Sequence, residues 1–265
     1  EALASIERYL VVDLETTTVK RYKRVANPFT MENWIVLSGA LDYKGTIFMP
    51  GAYFDKETAQ QYHKKKICAS NKNVTGSSKK SLFLPPLDDY DVIVGHNIKF
   101  DLLHIWKDEE LKRFLKRGGK IWDTMYAEYL LTGHQVKLGR GAGLEDVAKS
   151  YGGTTPKLDE VKQAWAEGKA TYSIPYATLR EYLEGDLKNT ELIFLKHRER
   201  ALAQRQVIIV NARMDSLLAT TEMEFNGLKI DVPLAIKQSN VLVGQAMKKR
   251  AALDASIPQE VPPKL

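Results

Sequence analysis

A chain of 265 residues is long enough for one large domain, or for one domain and part of another. It is 44% hydrophobic and 27% charged, as ordinary globular proteins are. No apolar run reaches the ~20 residues that a bilayer-spanning helix needs, which argues against a membrane partner. The one cysteine, Cys68, excludes an internal disulfide and fits a reducing, cytoplasmic compartment. The first residues, Glu1-Ala2-Leu3-Ala4-Ser5, show neither an initiator methionine nor a signal-peptide layout, so a piece of a longer protein is expected. The net charge is +6, and the segment from Lys56 to Lys80 carries seven lysines against one acid, Glu57. Such a run suits a solvated face, or a patch that tracks phosphates by releasing counterions.

In chain order, a first strand is predicted from Tyr9 to Glu15. Apolar runs from Trp34 to Tyr43 and from Gly45 to Met49, parted at Lys44-Gly45, predict a hairpin. A helix follows near Lys56–Lys66, then a polar loop from Asn71 to Ser81, closed by Pro85-Pro86. Asp91 to His96 reads as a strand that runs into a helix from about Lys99 to Leu115. Lys120 to Trp122 reads as a strand, with Asp123-Thr124 capping the next helix. Pro175 to Arg205 and Ile208 to Phe225 read as long helices. Asn226-Gly227 signals a turn, Leu228 to Asp231 reads as a strand, and Pro233 opens a last helix. Strands alternating with helices predict an α/β domain, and the early hairpin makes the sheet mixed. The pattern changes near Arg205, where a domain boundary is expected: residues 1–205, then 206–265 as helices around one hairpin.

Acids stand where acids are expensive. Alternate residues of a strand share a face, so Tyr9, Val11, Asp13 and Glu15 point the same way. Asp101 falls on one helical stripe with Ile98, Leu102 and Ile105. Asp186 falls on another with Leu179, Tyr182, Leu183, Leu187 and Thr190. An ionised carboxylate in an apolar setting needs a cation or hydrogen bonds, and hard divalent cations prefer oxygen ligands. Each residue also has a plainer reading. Asp13 and Glu15 suit strand-end surface acids, and Asp101 a helix N-terminal acid facing the macrodipole. Asp186 suits a partner of Lys188 or Arg180, and Tyr182 a core tyrosine.

Together these segments resemble the three motifs of the DEDDy exonuclease family. They are Asp13-Leu14-Glu15-Thr16, Asn97-Ile98-Lys99-Phe100-Asp101 after the strand VIVGH, and Tyr182-Leu183-Glu184-Gly185-Asp186. Trp122-Asp123-Thr124-Met125 with AEYLL, and the run from Gly143 to Lys149, look like the proofreading domain of family A DNA polymerases. The tail from Glu222 to Asp231 is similar to the segment that opens the polymerase domain in that family, although the polymerase catalytic motifs are absent. The region between the first two motifs looks more like a phage polymerase, which would place the protein in a bacterial host's cytoplasm.

The resemblance implies a ribonuclease H-like fold with a helical C-terminal extension that begins a polymerase thumb. It implies two-metal 3′→5′ hydrolysis of DNA with Mg²⁺ or Mn²⁺, releasing nucleoside 5′-monophosphates. Asp13, Glu15 and Asp186 would hold one cation; Asp13 would share a second with Asp101. Tyr182 would orient the attacking water. Thr16, Val19, Asn97 and Phe100 would contact substrate, Phe100 more by packing than by stacking. The partners implied are a single-stranded or frayed 3′ end and the missing polymerase domain, in a monomer. Scattered histidines and one cysteine argue against zinc. An RNA-trimming exonuclease and a catalytically silent DNA-binding module are the competing readings.

Overall fold

The computed structural model describes residues 7–18, 26–30, 32–52, 81–135, 141–153 and 159–257. The expected helix over 56–66, the lysine-rich loop, Cys68 and Val19 lie outside the described residues.

Five strands form one mixed sheet: β1 (Tyr9–Thr16), β2 (Ile35–Asp42), β3 (Ile47–Ala52), β4 (Val92–Gly95) and β5 (Lys120–Asp123). Their order is β3-β2-β1-β4-β5, which puts β1 at the centre. β2 and β3 are the predicted hairpin, with Gly45 at φ 83 in its turn, and β2 runs antiparallel to β1. β4 runs parallel to β1, and β5 parallel to β4. Helices flank the sheet, so the chain has a ribonuclease H-like α/β fold with a helical C-terminal region.

A central strand must satisfy both faces, and β1 does so by alternation. Leu10, Val12 and Leu14 fill one face, while Tyr9 and Val11 start the other. The longest helix of the first unit, α6 (Tyr176–Ala203), lies against β1 and β2. Its stripe of Leu179, Leu183 and Leu187 is fully buried. Gly39, directly opposite Asp13 in the β1–β2 ladder, lets α6 come close: a Cβ there would meet Leu183 Cδ2 at 2.8 Å and Leu187 Cδ1 at 3.0 Å.

The helix expected from Lys99 to Leu115 is two helices, α1 (Ile98–Ile105) and α2 (Glu109–Lys116). Asp108 breaks it. Its backbone is extended (φ −67, ψ 129), its side chain accepts the Glu110 N–H at 3.0 Å, and Ser81 Oγ donates to it at 2.8 Å. An aspartate that caps the following turn competes with helix continuation. The remaining helices of this part are α3 (Thr124–Leu131), α4 (Leu144–Ser150) and α5 (Asp159–Ala166).

Arg205, at φ 57, marks the predicted change of pattern, but the first compact unit runs on to Phe225. It includes most of α7 (Val207–Asn226), whose Val210 and Met214 are buried in the core. The second unit, from Asn226 onward, holds α8 (Val232–Ser256), capped by Asp231 with Pro233 in its first turn. Leu228 to Asp231 is not a strand. A segment without a neighbouring strand has no ladder to satisfy its backbone, and apolar alternation cannot supply one.

Candidate metal centre

Asp13 and Glu15 stand at the C-terminal end of β1, on the face that α6 covers. α6 is pinned there by the Tyr9 hydroxyl, which donates to Glu191 Oε1 at 2.9 Å. Asp186, in the buried stripe of α6, comes down beside them. One oxygen from each of Asp13, Glu15 and Asp186 lies within 4.8 Å of the other two. Asp101, in the first turn of α1, is 2% exposed and feels the charges of Asp13 and Glu15. It lies outside that close trio, and its Oδ1 has no hydrogen-bond partner.

Burial pushes the Asp13 carboxyl up to about 6. Burial, with Asp13 nearby, pushes Asp186 up to about 7, although a hydrogen bond from Tyr182 and the charge of Lys162 pull the other way. Glu15 and Asp101 are raised well above the ordinary range by burial and then by their acidic neighbours. Metal-free, such a group is a liability that protonation relieves; a divalent cation relieves it more completely. The donor set is all carboxylate oxygen, which suits a hard divalent cation, and the buried Asp101 Oδ1, without a hydrogen-bond partner, could serve as a further donor.

The sign of the pH dependence follows. These carboxyls hold their protons more tightly folded than unfolded, so they contribute stability at low pH. That stability is lost as pH rises from the ordinary 3.8 to about 7. The metal-free melting temperature is therefore expected to fall across that window. Mg²⁺ should raise it by a few degrees at pH 8 and hardly at all at pH 5, as thermal denaturation with and without chelator would read. Equal shifts at the two pH values would show that the cation binds elsewhere.

Tyr182, one turn before Asp186, has its hydroxyl near enough to that carboxylate to pull its pKa down against burial. Its ring is held by Trp165 of α5, edge-on at 5.5 Å and 85°. Trp165 Nε1 donates to Thr171 Oγ1 at 3.2 Å, and Thr171 Oγ1 donates to the carbonyl of Thr16 at 2.8 Å. One chain of contacts thus ties the tyrosine to the end of the strand that bears Glu15. Beyond it, Asn33 Nδ2 donates to the Thr17 carbonyl, and Asn33 Oδ1 meets His104 of α1 at 3.0 Å.

Of the other residues singled out in the sequence, Thr16 is buried at the strand's end. Asn97 is exposed, in left-handed conformation ahead of α1. Phe100 is half-buried with its ring against His104, 4.6 Å away. Arg180 pairs with Glu184, leaving Asp186 to the acid cluster. His96 is not a ligand. Its Nε2 faces the Ala142 carbonyl at 2.8 Å and its Nδ1 the Thr124 hydroxyl at 2.8 Å, while burial pushes its pKa down to about 4.

Trp165, Thr171 and Lys162 carry no local signal in the sequence, because their roles arise from contacts with distant elements. A second buried group fixes the far half of α6. Glu128 of α3 accepts from the Tyr151 hydroxyl at 2.8 Å, bonds His197 at 2.7 Å, and lies 3.7 Å from Arg200. Burial alone would raise Glu128; His197 and Tyr151 outweigh it and hold the carboxyl below its ordinary value. The alternating charge and apolar pattern of α6 gave no warning of this anchor.

No protein-family profile and no curated protein matches the chain. Among the described residues no helix is long and apolar enough to cross a membrane.

Proposed function

We propose that this chain is a 3′→5′ exonuclease module of the DEDDy type, acting on single-stranded or frayed DNA ends as the proofreading part of a family A polymerase. The observation that carries the reading is the meeting of Asp13, Glu15 and Asp186 within 4.8 Å, with buried Asp101 near enough to feel the charges of Asp13 and Glu15. The first and third motifs of the resemblance supply that trio, and the second supplies Asp101, buried outside it.

Two divalent cations, when bound, supply the positive charge that stabilises the attacking and leaving oxygens of the phosphodiester. Asp13, Glu15 and Asp186 would hold one, and Asp13 with Asp101 the other. The chain does the rest. The Tyr182 hydroxyl, beside Asp186, would orient the attacking water. Trp165 keeps the ring from swinging away. Exposed Asn97, just ahead of the helix that bears Asp101, would offer a polar side chain to the substrate. Binding through phosphates and base faces gives little sequence preference.

A time course on a labelled 3′-overhang DNA, with and without Mn²⁺, tests the reading. The expected result is a ladder shortening from the 3′ end and release of nucleoside 5′-monophosphates only with metal. No shortening in the presence of Mn²⁺ overturns it; equal or faster digestion of RNA would move the assignment to RNA trimming. Tyr182→Phe is expected to lower the rate roughly 10- to 150-fold, the worth of one charge-assisted hydrogen bond. The half-saturating Mn²⁺ concentration should stay unchanged. A parallel loss of metal affinity would show that the hydroxyl serves the metal and not the water.

A further inference from the structure

Asp123 stands where β5 ends and α3 begins, and it is 1% exposed. It caps its own helix, with Oδ1 accepting the Tyr126 N–H at 3.1 Å. The same oxygen accepts the backbone N–H of Asn97, the residue that opens α1, at 3.1 Å. Asn97 precedes α1 at φ 58, ψ 42, and its own side chain makes no capping bond. The opening turn of α1 is therefore capped from another element. That junction is itself fixed, since Asp123 lies beside Gly95 in the β4–β5 ladder and its N–H meets Met214 Sδ of α7 at 3.3 Å.

Asp101 lies in this opening turn. Among the described residues its Oδ1 has no hydrogen-bond partner. No side chain among those residues bonds that oxygen, so its place near Asp13 is inherited from the backbone of α1. We propose that Asp123 is a positioning residue: by capping α1 and α3 with one carboxylate, it sets Asp101 against Asp13 and so forms the second cation position. The inference rests on the nuclease reading for its activity readout, while Mn²⁺ binding tests it separately.

Two variants separate this role from simple helix capping. Serine is a good N-cap, so Asp123→Ser keeps an acceptor for α3, but its single short hydroxyl cannot also reach α1. Asp123→Asn keeps the two-pronged shape and the acceptor that both N–H groups use. In the full chain, Mn²⁺ is titrated by electron paramagnetic resonance, the DNA rate is followed against Mn²⁺, and melting temperature checks folding. Asp123→Ser is expected to bind one Mn²⁺ tightly instead of two, with half-saturation of the rate raised at least tenfold. Asp123→Asn is expected to stay within about threefold of wild type. Asp123→Ser with wild-type Mn²⁺ stoichiometry and half-saturation overturns the proposal. So does an Asn variant that folds yet loses the second Mn²⁺ as fully as the Ser variant does. Should wild type bind two Mn²⁺ but leave DNA intact, the nuclease reading fails and the binding arm still decides the role of Asp123. Wild type that binds no Mn²⁺ sinks both.

Discussion

Asp13→Ala is expected to cut metal-dependent hydrolysis by on the order of 10³-fold, since it withdraws several kcal/mol of charge stabilisation at the reacting phosphate. Asp13 is the one acid expected to touch both cation positions, so no neighbour can replace it. The same change should stabilise the metal-free fold. Glu15, Asp101 and Asp186 all feel the Asp13 charge, and removing it relieves each of them. A relief of about 1 kcal/mol corresponds to roughly 2–4 °C in melting temperature for a domain of this size. The paired measurement is initial rate on a 3′-overhang DNA and melting temperature at pH 8 in chelator. Lost rate with a raised melting temperature is the signature of an acid kept for chemistry. Retained turnover would remove Asp13 from the reaction, whatever the stability change.

The second large effect is expected at a residue with no side chain. Gly39→Val would drive branched carbons into Leu183 and Leu187, which a Cβ already meets at 2.8 and 3.0 Å. Both leucines flank Asp186 on α6. Alanine asks only that flexible leucine ends shift, so Gly39→Ala should be tolerated at about 1 kcal/mol or less. Valine demands that the helix move, at a cost of about 1–3 kcal/mol. Displacing α6 by even 1 Å carries Asp186 and Tyr182 away from β1, and a misplacement of that size can lower a rate ~10²-fold. The expected result is a graded series, wild type above Ala above Val, in rate and in Mn²⁺ affinity together. A Val variant that lost stability but kept full Mn²⁺ affinity would show that helix spacing does not set the site.

The acids were legible because each sits in a regular element. Period 2 placed Asp13 and Glu15 on one face of β1, and period 3.6 placed Asp101 and Asp186 on buried stripes. Their convergence was not legible from periodicity, which says which way a side chain points and not what it meets; the motif resemblance supplied the expectation. The break at Asp108 had a local signal, an aspartate followed by Glu109 and Glu110, that continuing apolar spacing through Trp106 obscured. The first bond of Asp123, to its own helix, was readable as a cap. Its second, to a helix 26 residues earlier, was not. Trp165 and Gly39 matter through neighbours distant in sequence, so composition is silent on both. The expected strand at Leu228 shows the converse, an apolar alternation with nothing to pair.

β1 is bonded on both sides, to β2 in register from Leu10 and to β4 from Tyr9. A slip of one residue along either neighbour would turn Asp13 and Glu15 into the opposite apolar layer and bring Leu14 to the proposed cation site. Mispaired sheets are thus penalised twice, by stranded charges and by lost chemistry. Full hydrolytic competence in a refolded sample would itself report that the central strand had found its proper alignment, with no spectroscopic probe required.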